Sequence, residues 1–168
     1  MNTDPDPVLE ERHGAVALLR LNLPQRLNPL ALPLQLALRE HLARLAGDRS
    51  VRALVLTGAG KAFSAGGDFP RMVATQRDQE IQDEVFAEAR RMVQSMVDLP
   101  QPLIAAVNGP AVGLGASLVT LCDLAIAAES AFLADPHLGV GLVPGDGAAL
   151  LWPLTIGLMR AKEYVFTG

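Results

Sequence analysis

Three glycine-rich turns, each set after an apolar run, constrain this chain more than any other feature. The first, Gly58-Ala59-Gly60-Lys61-Ala62-Phe63-Ser64-Ala65-Gly66-Gly67-Asp68, follows Val51 to Leu56. The second, Asn108 to Ser117, follows Leu103 to Val107, and the third, Asp135 to Gly147, comes after Asp123 to Ala127. Short apolar runs ended by turn formers are the pattern of strands buried on both faces. Helical patterns lie between them. From Leu30 to Leu45 the polar residues Arg39, Glu40 and Arg44 share one side, and from Arg77 to Val97 the residues Ile81, Val85, Phe86, Ala89, Met92, Val93 and Met96 are spaced mostly three and four apart. A strand is expected at Ala15 to Leu21 and helices near Ala148 to Leu154 and Leu158 to Phe166, which makes the class α/β. Gly168 sits in a capping position after the last helical pattern, so a further element is expected beyond it, as in a fragment.

Composition narrows the partners. Half of the 168 residues are hydrophobic and only 4% are aromatic, so the core is expected to be Leu, Val, Ile and Ala in one domain spanning 1–168, with 1–14 as an N-terminal arm and edge. A net charge of -4 without a Lys/Arg cluster argues against nucleic acid. The single Cys122 has no partner for an intramolecular disulfide and fits a reducing compartment, so a cytoplasmic location is expected. The acidic start and the lack of about 18 uninterrupted apolar residues argue against a membrane.

The turns carry the residues suited to chemistry. Four glycines between 58 and 67 let a backbone N–H approach a ligand without a Cβ in the way, although a plain loop explains the run equally well. Gly113 and Gly115 flank Leu114 at an expected helix start, where unpaired N–H groups favour developing negative charge; close packing through small residues is the alternative. Neither turn matches the phosphate-loop or dinucleotide signatures. The third turn holds His137 with Asp135 and Asp146. An imidazole suits proton transfer, but a His can also merely hold a turn, and Asp135 before Pro136 is an ordinary turn former. His13 and His41 have the setting of surface residues.

In order and spacing these segments resemble the crotonase (enoyl-CoA hydratase/isomerase) superfamily from about Val16 to Gly168. The most specific pieces are Lys61-Ala62-Phe63-Ser64-Ala65-Gly66-Gly67-Asp68, Pro102 to Gly109, Leu121 to Ala127, and Gly141-Leu142-Val143-Pro144-Gly145. The resemblance implies a spiral of repeated ββα units with outer helices, a C-terminal helical part missing here, and assembly as a homotrimer or dimer of trimers. It implies an acyl-CoA substrate of fatty acid metabolism, with coenzyme A entering as part of that substrate and no tightly bound cofactor or metal. It gives the Gly67 and Leu114 amides the role of an oxyanion hole, and it sets Arg26 and Leu27 near the nucleotide, with Ser64, Ala65, Gly66, Asp68 and Gly113 along the rest of the substrate path.

The acid/base positions depart from the family. Where hydratases of this kind carry two glutamates, this chain has Ser117 and His137. A serine orients but does not take a proton at neutral pH unless another base activates it, so His137 and Asp146 become the candidates. Hydratase, isomerase or related lyase chemistry leads. A hydrolase or decarboxylase using His137 and a catalytically silent acyl-CoA-binding subunit are the rivals.

Overall fold

In the computed structural model, which describes residues 6–168 apart from 69, 72 and 74–76, strand β2 (Val16–Leu21) alternates half-buried and buried residues. It seeds a five-stranded sheet in the order β1-β2-β3-β4-β6, with β1 (Val8–His13), β3 (Ala53–Gly58), β4 (Leu103–Val107) and β6 (Leu124–Ala127). Only β1 runs antiparallel to its neighbour; Val16 pairs with Ala53, Leu54 with Leu103 and Ile104 with Leu124 in parallel. Parallel neighbours need crossovers, and helices α1 (Leu32–Ala46) and α2 (Gln79–Val97) supply the first two. The third passes through β5 (Ala111–Val112) and α3 (Leu114–Leu121), and β5 pairs with β7 (Leu133–Ala134) as a separate ribbon.

The main core joins Leu34, Leu38, Leu42 and Leu45 of α1 to Leu19, Leu21, Leu54, Leu56 and Ala105 of the sheet and to Met92 and Met96 of α2. Phe63, fully buried, is the one aromatic side chain in it among the described residues, in keeping with the aliphatic composition. Glu88 of α2 is 3% exposed but lies 2.8 Å from Arg39 of α1 and 3.1 Å from Arg91, which compensates its burial. A second cluster gathers Ala116 of α3 with Ala148 and Trp152 of α4 (Ala148–Ile156) and Ala161 and Val165 of α5 (Leu158–Thr167). The ring of Tyr164 meets Trp152 edge-on at 6.5 Å.

Of the segment 1–14, expected as an N-terminal arm and edge, Val8–His13 form the edge strand β1, paired along its length from Val8↔Leu21 to His13↔Val16. Among the described residues no helix is long and apolar enough to cross a membrane.

Candidate functional site

The turns after β3 and β4 interlock at the carboxyl ends of those strands, the usual ligand end of a parallel sheet. Asn108 ties them: its Oδ1 accepts the Gly58 N–H at 3.1 Å and its Nδ2 donates to the Gly60 carbonyl at 3.0 Å. The Val112 N–H donates to the Ser64 carbonyl at 3.0 Å, and a Cβ at Gly115 would lie 2.7 Å from that same oxygen. Only glycine fits there. Gly66 meets a double demand, with φ +88° and a would-be Cβ 2.5 Å from the Val112 carbonyl and 3.6 Å from the Leu114 nitrogen.

That contact leaves two amides over. The Ala65 N–H donates to the Leu27 carbonyl (2.8 Å), the Gly66 N–H to Ser64 Oγ (3.1 Å) and the Gly113 N–H to the Ala134 carbonyl (2.9 Å). The Gly67 and Leu114 N–H groups find no acceptor among the described residues. Gly67 is exposed, and Leu114 is the first residue of α3, where unpaired N–H groups and the positive end of the helix dipole coincide.

The third turn comes up against this point. A Cβ on Gly113 would lie 3.4 Å from Asp146 Oδ2 and 3.5 Å from His137 Cε1. The short helix His137–Val140 begins just after Pro136, and Asp135 Oδ1 caps it by accepting the His137 backbone N–H at 3.2 Å. The same oxygen lies 2.6 Å from His137 Nδ1, while His137 Nε2 lies 3.4 Å from Asp146 Oδ2. Asp135 is 1% exposed, and its Oδ2, like Asp146 Oδ1, is buried with no hydrogen-bond partner among the described residues. Asp135 is therefore more than a turn former, a role that needs knowledge of where the ring lies. Burial pushes the Asp146 carboxyl above its ordinary range; a charged His137 opposes this, the Asp135 carboxylate adds to it, and the local backbone and the Ser117 hydroxyl weakly oppose it.

The Asp146 shift has a testable sign. A carboxyl whose folded pKa is raised contributes stability that is complete below its unfolded pKa and is lost as pH rises through the folded value. Asp146→Asn should therefore melt higher than the parent at pH 7, by about 2–4 °C for each kcal/mol relieved in a chain of this size. The difference should vanish toward pH 4, and thermal melts across that range check it.

Several expected site residues have different employment. Ser64, fully buried, donates its hydroxyl to the Asn28 carbonyl at 2.8 Å while accepting from Gly66, so its side chain shapes the loop instead of facing a ligand path. Ser117, also fully buried, has its hydroxyl 3.4 Å from the Gly113 carbonyl and against Gly147. Arg26 is exposed but pairs with Asp68 at 2.8 Å, which joins two residues expected at separate points of the substrate path. Leu27 is exposed beside them with φ 60°. Asn28 was missed altogether: fully buried at φ 53°, it donates to the Ala59 and Ala62 carbonyls (2.9 Å each) and accepts the Leu23 N–H (2.9 Å), fixing the first turn. Its position in an unremarkable Leu-Asn-Pro run gave no signal beyond turn propensity.

Asp135, His137 and Asp146 each bring one potential ligand atom within 4.8 Å of the others. Because His137 Nδ1 is engaged by Asp135, the ring offers a cation only Nε2, and with Asp146 that makes two donors, fewer than the three or four of ordinary zinc sites. Cys122 brings no reactive thiolate, since burial and the neighbouring Asp123 push its thiol up to about 12.

Residues 11–168 match the family model described as enoyl-CoA hydratase/isomerase. The Bacillus subtilis (strain 168) protein YngF is 38% identical over 154 residues, covering 91% of this chain and 58% of its own length. Among solved structures, an enoyl-CoA hydratase/isomerase from Mycobacterium paratuberculosis is 45% identical with a TM-score of 0.90, covering 99% of this chain and 67% of that one. An enoyl-CoA hydratase from Bacillus anthracis superposes with a TM-score of 0.91 at 35% identity over 96% of this chain and 63% of its own. The chain thus spans about three fifths of the length of the curated relatives it matches.

Proposed function

Because the chain belongs to the enoyl-CoA hydratase/isomerase family, we propose that it binds an acyl-coenzyme A thioester and polarises the thioester carbonyl with the Gly67 and Leu114 amides. The observation that carries this reading is the pair of N–H groups without acceptors among the described residues where two interlocked turns meet, one of them at a helix N-terminus. A thioester oxygen gains charge as an enolate or a tetrahedral adduct forms, and each fixed donor aimed at it contributes about 2.7–4 kcal/mol to the transition state. Coenzyme A comes and goes with the substrate, and Arg26, exposed beside the first turn, is the cation suited to its phosphates once it exchanges Asp68 for them.

His137 carries the proton transfer, and hydration or isomerisation of an enoyl thioester is the leading reaction. The buried Asp135 contact favours an acid/base site over a silent binding subunit, since it equips an imidazole beside the amides. Hydrolysis is the second reading: the same donors would stabilise the tetrahedral adduct if His137 activated water toward the carbonyl carbon.

Calorimetric titration with crotonyl-CoA should give saturable heat, weakening as salt screens the phosphate contacts. Loss of the enoyl absorbance without release of free thiol identifies hydration, whereas thiol release identifies hydrolysis. A folded protein with no detectable heat of binding would overturn the acyl-thioester reading.

A further inference from the structure

Resting on the acyl-thioester reading, the geometry points to a second layer of the site: Asp135 is a positioning residue that fixes the His137 imidazole with its proton on Nδ1, so that Nε2 and Asp146 form a proton-sharing pair taking the two acid/base roles. The tautomer follows from proton counting. Asp135 Oδ1 already accepts the His137 backbone N–H at 3.2 Å, a group that can only donate, and a carboxylate has no proton to give. The ring nitrogen 2.6 Å from that oxygen must then be the donor, which makes Nδ1 the protonated position of the neutral ring. Two contacts to one nearly inaccessible carboxylate, one to the backbone and one to the ring, restrict both the location of His137 and its rotation.

With Nδ1 committed, the Nε2 lone pair is the ring's only basic site, and it lies 3.4 Å from Asp146 Oδ2. Asp146 Oδ2 and the ring carbon Cε1 of His137, which is bonded to Nε2, adjoin Gly113, one residue before the Leu114 amide. The charged and polar groups facing Asp146 are His137 and Asp135 from its own turn and Ser117 from α3. Burial favours its protonated form, which suits Asp146 to give a proton, while the bare Nε2 of a ring protonated on Nδ1 is placed to take one.

That pair suffices for addition of water to an α,β-unsaturated thioester. Nε2 takes a proton from water as the water oxygen bonds to the β-carbon, and the C=C electrons move through the α-carbon onto the thioester oxygen at the two amides. As the carbonyl re-forms, the α-carbon takes the proton of Asp146. The site is left as imidazolium and carboxylate, and transfer of one proton from Nε2 to Asp146 restores it. One water is consumed, and no other reactant is required. In this scheme one imidazole and one half-buried acid take the place of the two glutamates that the family resemblance leads one to expect.

The test reads the tautomer without any substrate. In ¹⁵N-histidine protein, long-range proton–nitrogen spectra of the neutral ring, with His137 identified by its disappearance in His137→Gln, should show Nδ1 protonated and Nε2 bare. Asp135→Asn, which can turn an N–H toward the ring, should move the proton to Nε2. It should also lower kcat about 10- to 100-fold, with KM and the calorimetric affinity for the thioester unchanged. A native His137 protonated on Nε2 overturns the proposal even if Asp135→Asn does not fold, and so does an Asp135→Asn protein with parental kcat. Failure of the thioester titration overturns the substrate reading instead, because the spectra report the Asp135–His137 arrangement independently of it.

Discussion

His137→Gln should lower turnover of the thioester substrate by about 10²–10⁴ while leaving its binding heat intact. Gln is close to His in size and can still hydrogen-bond to Asp135, but it has no nitrogen that exchanges a proton in the neutral range. Loss of rate with affinity preserved is thus the signature of a missing acid or base and not of a collapsed turn. The comparison with Asp146→Asn apportions the roles. If hydration uses both groups, each variant is slow, and the double variant is no slower than the worse single one, because residues acting as a unit are not additive. Near-parental turnover in His137→Gln together with inactivity in Asp146→Asn would transfer the acid/base role to Asp146 alone.

Gly67→Pro should reduce turnover by about 10²–10³. Proline deletes the N–H, and Gly67 does not have the left-handed backbone of its neighbour Gly66, so the ring's preferred φ is not excluded by that criterion. The informative control is Gly67→Ala, which keeps the donor and should retain most of the activity. Gly66→Ala asks a different question: its Cβ would lie 2.5 Å from the Val112 carbonyl at a φ of +88°, so it should lose folded stability first. A Gly67→Pro protein with native circular dichroism and parental turnover would mean that the thioester oxygen lies elsewhere.

The sheet was legible because its parallel strands are short apolar runs ended by turn formers, a pattern that marks even β6, whose residues are exposed in the fold. Leu103 to Val107 was read with its observed bounds, and β2, β3 and β6 within two residues at each end. The first strand was not, because as an edge it exposes Glu11, Arg12 and His13, so its sequence carries no apolar run. It is held instead by its pairing to β2 and by exposed ion pairs such as Arg20 to Glu11 at 3.0 Å. In the candidate site, glycine spacing was legible where backbones come close, since a Cβ at Gly58, Gly66, Gly109 or Gly115 would clash with the backbone of its own or the neighbouring turn. Side-chain partnerships between distant positions leave no comparable trace: Ser64 with Asn28 and Arg26 with Asp68 are visible only once the chain is folded. Asp135 and His137 are only two positions apart, yet the same spacing serves any capped turn, and ring orientation decides which it is.

The parallel order of β2, β3, β4 and β6 has a consequence for how the molecule comes to exist at all. None of these four strands can meet another of the four through a hairpin; Val16 must find Ala53, and Leu54 must find Leu103, with a whole helix in the intervening loop. The entropy of closing those loops precedes the contacts that compensate it, so refolding after dilution from urea should fall in the slower, millisecond-to-second range of small domains. During that interval β6 would wait with Leu124 and Ile126, 63% and 72% exposed even in the finished fold, and nascent molecules would be most vulnerable to sticking together there. Refolding yield should therefore drop as protein concentration rises, before any change in the stability of the native state.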